Sequence, residues 1–133
     1  MTTVFADTFF FLAILNARDA AHHGSIVASR ATRARWVTTA WVLTEVADAM
    51  ALPGNRAVFL KFLRTLESNS NVTINPASDA LYRRGLEFYA SRPDKEWSLT
   101  DCISFVVMLD HGITEALTGD HHFTQAGFVA LLS

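Results

Sequence analysis

The chain has 133 residues, 11 Lys+Arg against 13 Asp+Glu, and 50% hydrophobic residues with only 18% charged. That length fits one domain that can bury a core without staples, and the composition excludes a disordered chain or a highly charged coiled coil. A formal net charge of −2 speaks against a strongly basic nucleic-acid coat and leaves only local basic patches, while a lone cysteine, Cys102, cannot form an internal disulfide and points to the reducing cytoplasm.

Thr3 to Ala6 reads as a short buried strand. Asp7-Thr8 then opens an apolar helix from Phe9 to Asn16, with Asp7 placed as its N-cap. The apolar run from Val4 to Leu15 has no basic flank and contains Asp7, so it is not a signal peptide. No apolar stretch reaches the roughly 18 residues of a membrane span, so no membrane association is expected. Arg18 to Arg33 reads as a helix weakened by Gly24. Trp36 to Thr39, β-branched and aromatic, is a second strand. Ala40 to Ala51 follows as a helix that stops at Pro53-Gly54. Asn55 to Glu67 is amphipathic, with Val58, Phe59, Phe62, Leu63 and Leu66 on one stripe.

Asn71 to Asn75 is a third strand, and Asn75-Pro76 reads as a helix start, cap followed by proline, carrying a helix to Ser91. Leu81, Leu86, Phe88 and Tyr89 would face the core or a partner. Arg92 to Lys95 is a loop. Leu99 to Asp110 is apolar nearly all round, hence central, and Gly112 ends it. Ile113 to Leu117 is a fourth strand, Asp120 to Gln125 a short helical turn, and Phe128 to Leu131 a last strand. Strands separated by helices pair in parallel through right-handed crossovers. The expected fold is one α/β domain over residues 1–133, three layers with a central, mostly parallel five-stranded sheet. In such sheets ligands bind beyond the carboxyl ends of the strands, where strand order reverses.

Four carboxylates stand out by their apolar surroundings. Asp7 ends the first strand and Asp120 follows the fourth, so a parallel sheet projects both from one edge. Asp101 lies in the first turn of the central apolar helix. Glu45 falls on the border of the Val42/Val46/Ala49 face at about 100° per residue. Each has a simpler explanation: Asp7 and Asp120 can cap the turns after them, Asp101 follows Ser98 at capping-box spacing, and Glu45 can be a solvated helix residue. Capping alone does not explain the four together. Carboxylates gathered within a few ångströms repel, and burial drives some of them to bind protons. One or two Mg²⁺ or Mn²⁺ ions, which favour oxygen ligands and water, remove that conflict. An ion so held polarises a phosphoryl oxygen, orients a water for in-line attack and stabilises the leaving oxygen.

These segments resemble the PIN-domain family, in particular the VapC-like ribonuclease toxins of prokaryotic toxin–antitoxin pairs. The matching stretches are Val4-Phe5-Ala6-Asp7-Thr8, Leu43-Thr44-Glu45, Ser98-Leu99-Thr100-Asp101-Cys102, and Leu117-Thr118-Gly119-Asp120-His121-His122-Phe123, the family's Thr-x-Asp-x-x-Phe pattern. The resemblance implies a five-stranded parallel sheet, Mg²⁺- or Mn²⁺-dependent cleavage of RNA, a homodimer, and inhibition by a small cognate antitoxin. It also implies that Asp7, Glu45, Asp101 and Asp120 form the catalytic, metal-binding set, with the hydroxyls of Thr8 and Thr118 in support.

The alternative from a different class is a non-catalytic binding module that uses the acidic pocket for a partner, indifferent to EDTA. An aspartyl-phosphate protein is disfavoured because position 9 is Phe9, and a dinucleotide-binding protein because no glycine-rich loop follows the first strand. Neighbouring histidines such as His22-His23 and His121-His122 do not share a zinc ion well; His121 and His122 are instead candidate RNA contacts beside Asp120. Arg30, Arg33 and Arg35 form the densest positive stretch and are candidate phosphate contacts, with Arg83, Arg84, Arg92 and Lys95 a second group. Cys102 reads as a buried structural thiol, and Phe9, Phe10 and Phe11 as core or dimer surface.

Overall fold

Val4, Phe5 and Ala6 are almost completely shielded from solvent, as a strand covered on both faces must be. They belong to strand β1 (Thr3–Ala6), the middle strand in the computed structural model, which describes residues 1–132. After it come α1 (Thr8–Leu15), α2 (His22–Thr32), β2 (Arg35–Thr39), α3 (Ala40–Ala49), α4 (Pro53–Ser68) and β3 (Val72–Asn75). The chain continues through α5 (Asp79–Ser91), α6 (Leu99–His111), β4 (Glu115–Leu117), α7 (His121–Gln125) and β5 (Val129–Ala130).

The five strands lie in the order β3-β2-β1-β4-β5. Every pairing is parallel, with Phe5 opposite both Val37 and Ala116, so the sheet is wholly rather than mostly parallel. From β1 to β3 the chain steps one way across the sheet, and from β3 to β5 it steps back. Right-handed crossovers therefore place α1 to α4 on one face and α5 and α6 on the other. Phe10 and Phe11 pack on Trp36 with ring centroids 5.1 and 6.2 Å away. On the other face Phe105 gathers Phe123, Trp97 and Phe128 at 5.0, 5.2 and 5.5 Å. Every residue of α6 from Asp101 to Met108 is buried, in keeping with its all-round apolar pattern.

Three local expectations are corrected. Pro53 does not stop a helix but starts α4 at its first position, where a missing N–H costs nothing. Asn75 does not cap a helix: it pairs with Thr39 as the last residue of β3, and its Nδ2 donates to the Thr38 carbonyl at 3.3 Å. The residue before proline is held extended, so α5 begins later, where the Ser78 side chain accepts from the Leu81 N–H. Finally, the segment from Arg18 is a series of turns, with Asp19 Oδ1 accepting from the Ala21 N–H at 2.8 Å, and α2 starts only at His22.

Candidate active site

β1 is where strand order reverses, with β2 and β3 to one side and β4 and β5 to the other. Asp7 leaves its carboxyl end, and Thr118 and Asp120 follow the carboxyl end of β4. Between them opens a cleft of about 330 Å³ lined by Asp7, Thr8, Phe9, Leu12, Glu45, Ser98, Asp101, Asp120 and His122. All four acids singled out in the sequence line it, brought from β1, α3, α6 and the turn into α7. No lysine or arginine does.

Hydrogen bonds decide between capping and something more. Asp7 stands at the N-cap of α1 yet makes no side-chain cap bond; its Oδ2 accepts from the Thr118 hydroxyl at 2.9 Å. Asp101 does close a capping box with Ser98, and its Oδ2 also lies 3.0 Å from His122 Nδ1. Asp120 caps α7 through the His122 N–H at 2.9 Å. Glu45 Oε1 accepts from the Thr8 hydroxyl at 2.6 Å. The two hydroxyls thus reach the two acids that carry no cap bond, and the caps on Asp101 and Asp120 fix their carboxylates at the cleft wall.

The electrostatics are lopsided. Asp7, 4% exposed, is pushed from 3.8 up to about 7 by burial, against the Thr118 hydroxyl and the Thr8 N–H, with Asp101 and Asp120 adding repulsion. Burial also raises Asp101, with Asp120 adding and His122 and Ser98 opposing. Glu45 is raised by burial and by the charges of Asp101, Asp120 and Asp48, against its Thr8 bond. The cleft holds acids that resist ionisation and, among the described residues, no lysine or arginine to neutralise them. A hard divalent cation fits that donor set. Among the described residues, one set of three acid or imidazole ligand atoms lies mutually within 4.8 Å: Asp120, His121 and His122. Asp7, Glu45 and Asp101 belong to no set that tight among the described residues.

His122 lies in the cleft and bridges Asp101 and Asp120, its Nδ1 3.5 Å from Asp120 Oδ1; sequence spacing signals neither contact. His121 is largely exposed beside Asp120. The short α7 curls both rings toward the carboxylate that caps it, so the two share a ligand geometry that straight helical spacing argues against. Arg30, Arg33 and Arg35 are not at the cleft: Arg35 pairs with Thr3 at the amino end of β1, and Arg30 and Arg33 precede it at the end of α2. That is the opposite edge of the sheet, because β2 must run its length to reach the acids. In the second basic group Arg83, Arg84 and Arg92 are bound to Asp79, Asp110 and Asp94. Cys102 is buried, its thiol pushed up to about 11 mainly by burial, which suits an inert core residue. Phe10 and Phe11 are core, but Phe9 is 36% exposed and lines the cleft. It shares a helix face with Leu12, a spacing visible in the sequence.

Comparison with known proteins agrees with this geometry. A family model described as PIN domain matches residues 4–129. The chain is 30% identical over 128 residues, 95% of each chain, to a protein named 23S rRNA-specific endonuclease VapC20 of Mycobacterium tuberculosis. The crystal structure of Mycobacterium tuberculosis VapC20, described as a sarcin–ricin loop cleaving toxin, superposes with a TM-score of 0.88, covering 98% of this chain and 99% of that one at 25% identity. FitAcB from Neisseria gonorrhoeae shares the fold, with a TM-score of 0.62 at 18% identity over 96% of this chain and 94% of that one.

Proposed function

This chain belongs to the PIN-domain family as a VapC-like endoribonuclease, and from that premise we propose that it hydrolyses RNA phosphodiester bonds with Mg²⁺ or Mn²⁺ held by Asp7, Glu45, Asp101 and Asp120. The observation that carries the reading is the convergence of these four acids on one cleft that no described lysine or arginine lines. When bound, a divalent ion supplies Lewis-acid polarisation of a phosphoryl oxygen and activation of a water. The chain supplies the rest. Thr118 and Thr8 hold Asp7 and Glu45 in one rotamer each, the caps on Asp101 and Asp120 do the same, and His122 adds a hydrogen-bonding imidazole to the cleft beside Asp101 and Asp120. The substrate is a structured loop of large ribosomal RNA, a reading that rests on the named activity of the 30%-identical relative.

The direct test is cleavage of total RNA by the purified chain with Mg²⁺ or Mn²⁺. Wild type is expected to cut and EDTA to stop it, with Asp101→Asn and Asp120→Asn each losing at least about 10²-fold in rate, the scale for removing one preorganised charge contact. Cleavage that is unaffected by EDTA and by both variants would defeat the reading.

A second expectation concerns pH. Asp7 binds its proton more tightly folded than unfolded, so the folded state holds more protons between about pH 4 and 7. The stability this gives is fully present below the unfolded value and is lost as pH rises through about 7. In EDTA the melting midpoint should therefore fall from pH 5 to pH 8. Mn²⁺ or Mg²⁺ should raise it more at pH 8 than at pH 5, since the ion must displace that proton. An equal metal-induced change at both values, read by scanning calorimetry, would contradict the assignment of Asp7 as a ligand.

A homodimer and a small antitoxin are proposed as partners in the cytoplasm. Exposed Leu52, Val58 and Leu60 around α4, and Tyr82, Tyr89 and Leu109 on α5 and α6, offer apolar area for them. No helix among the described residues is long and apolar enough to cross a membrane.

A further inference from the structure

Among the described residues Phe9 is the one phenylalanine left out of the core. Its neighbours Phe10 and Phe11 are fully buried, tilted against each other and packed edge-on to Trp36. Phe9 has turned about 100° away from Phe10 along the helix and has no ring partner among the described residues. It sits in the wall of the acidic cleft with Asp7, Glu45 and Asp120. Its far end rests on Gly119, where an added Cβ would stand 2.6 Å from Cζ and 2.7 Å from Cε1. Only glycine permits that approach. Gly119 lies between Thr118, which is bonded to Asp7, and Asp120, so the ring rests on the same turn that carries two of the site residues. An aromatic ring partly open to solvent in the wall of the acidic cleft has the composition of a base-stacking platform.

We propose that Phe9 stacks on an unpaired base next to the phosphate that is cut, so the enzyme requires a nucleotide already splayed from its helix. This rests on the ribonuclease reading above and adds the conformation of the substrate to it. Every base has a π-face, so the contact selects loops and single strands over duplex without reading a base identity.

The test uses the full chain and an RNA hairpin that wild type cleaves, with single abasic positions walked through its loop. Phe9→Leu keeps apolar volume on Gly119 but loses the flat ring, and should raise KM about 5- to 150-fold with kcat nearly kept. Phe9→Tyr should restore wild-type KM. One abasic position should raise the KM of wild type by a similar factor, and add little more in Phe9→Leu, because both remove the same contact. Wild-type KM in Phe9→Leu, a loss in kcat alone, or abasic penalties identical in both proteins would overturn the proposal while leaving the nuclease intact. Failure of wild type to cut any RNA would instead overturn the ribonuclease reading beneath it.

Discussion

Asp7→Asn is expected to lose RNA cleavage by about 10²–10³-fold, the scale of one preorganised charge contact, and to melt higher than wild type in EDTA at pH 8. The two effects share one cause. Asp7 is almost fully buried, and burial with two neighbouring carboxylates lifts it to about 7. A tenfold change in proton affinity corresponds to about 1.4 kcal/mol, so ionising this group in the metal-free protein costs at most about 4 kcal/mol. Asparagine has nearly the same shape, and its carbonyl oxygen still accepts from Thr118, but it carries no charge to bury. The gain should shrink to less than half at pH 5, where Asp7 is protonated in the folded state but still largely ionised in the unfolded one, and should reverse when Mn²⁺ is added, because wild type then offers an anionic ligand that asparagine lacks. Calorimetry at both pH values, with and without the ion, separates this from ordinary packing damage, which would lower the midpoint at every pH. A variant that is less stable under all four conditions would show that Asp7 serves the fold rather than the cleft.

Gly85→Leu is expected to cost more stability than any surface change. Gly85 is buried where α5 crosses α6, and a Cβ there would fall well inside contact distance of Ile103 Cγ1. Ile103 is itself fully buried and cannot swing away, so the helices must separate. Overpacking of this kind costs about 1–3 kcal/mol and occasionally more. Gly85→Ala should still lose on balance, even though alanine favours a helix by about 1 kcal/mol over glycine. Gly24 is the internal control. It lies in α2 with nothing within 4 Å of an added Cβ, so Gly24→Ala should gain up to about 1 kcal/mol. Urea unfolding of the three variants measures both signs. Because α6 carries Asp101 and Ile103 two residues apart, Gly85→Leu should also weaken metal binding. A neutral Gly85→Ala would mean that the α5–α6 contact yields more readily than its geometry implies.

The sheet is legible in the sequence because its strands are short apolar runs set between helical patterns, and parallel pairing then brings Asp7 and Asp120 to one edge with little else required. The acids are legible for the same reason: charged residues in apolar settings need an explanation that capping supplies only one at a time. What escapes a linear reading is decided by tertiary contact. Asn75-Pro76 carries a good helix-start signal, but pairing with Thr39 holds Asn75 in the sheet. Arg30, Arg33 and Arg35 look like a nucleic-acid patch in one dimension, and only the direction of β2 reveals that they lie away from the cleft. Phe9 groups with Phe10 and Phe11 by composition, since three adjacent phenylalanines look alike, whereas a helix sends them to different faces. The His122 contact with Asp101 depends on how α7 turns back onto α6, which no spacing rule reports.

The Thr118–Asp7 hydrogen bond joins residues 111 positions apart, and β1 depends on Ala116 and Leu117 for one of its two neighbours. Contacts so distant along the chain form late. The pocket is therefore complete only once β4 has docked on β1.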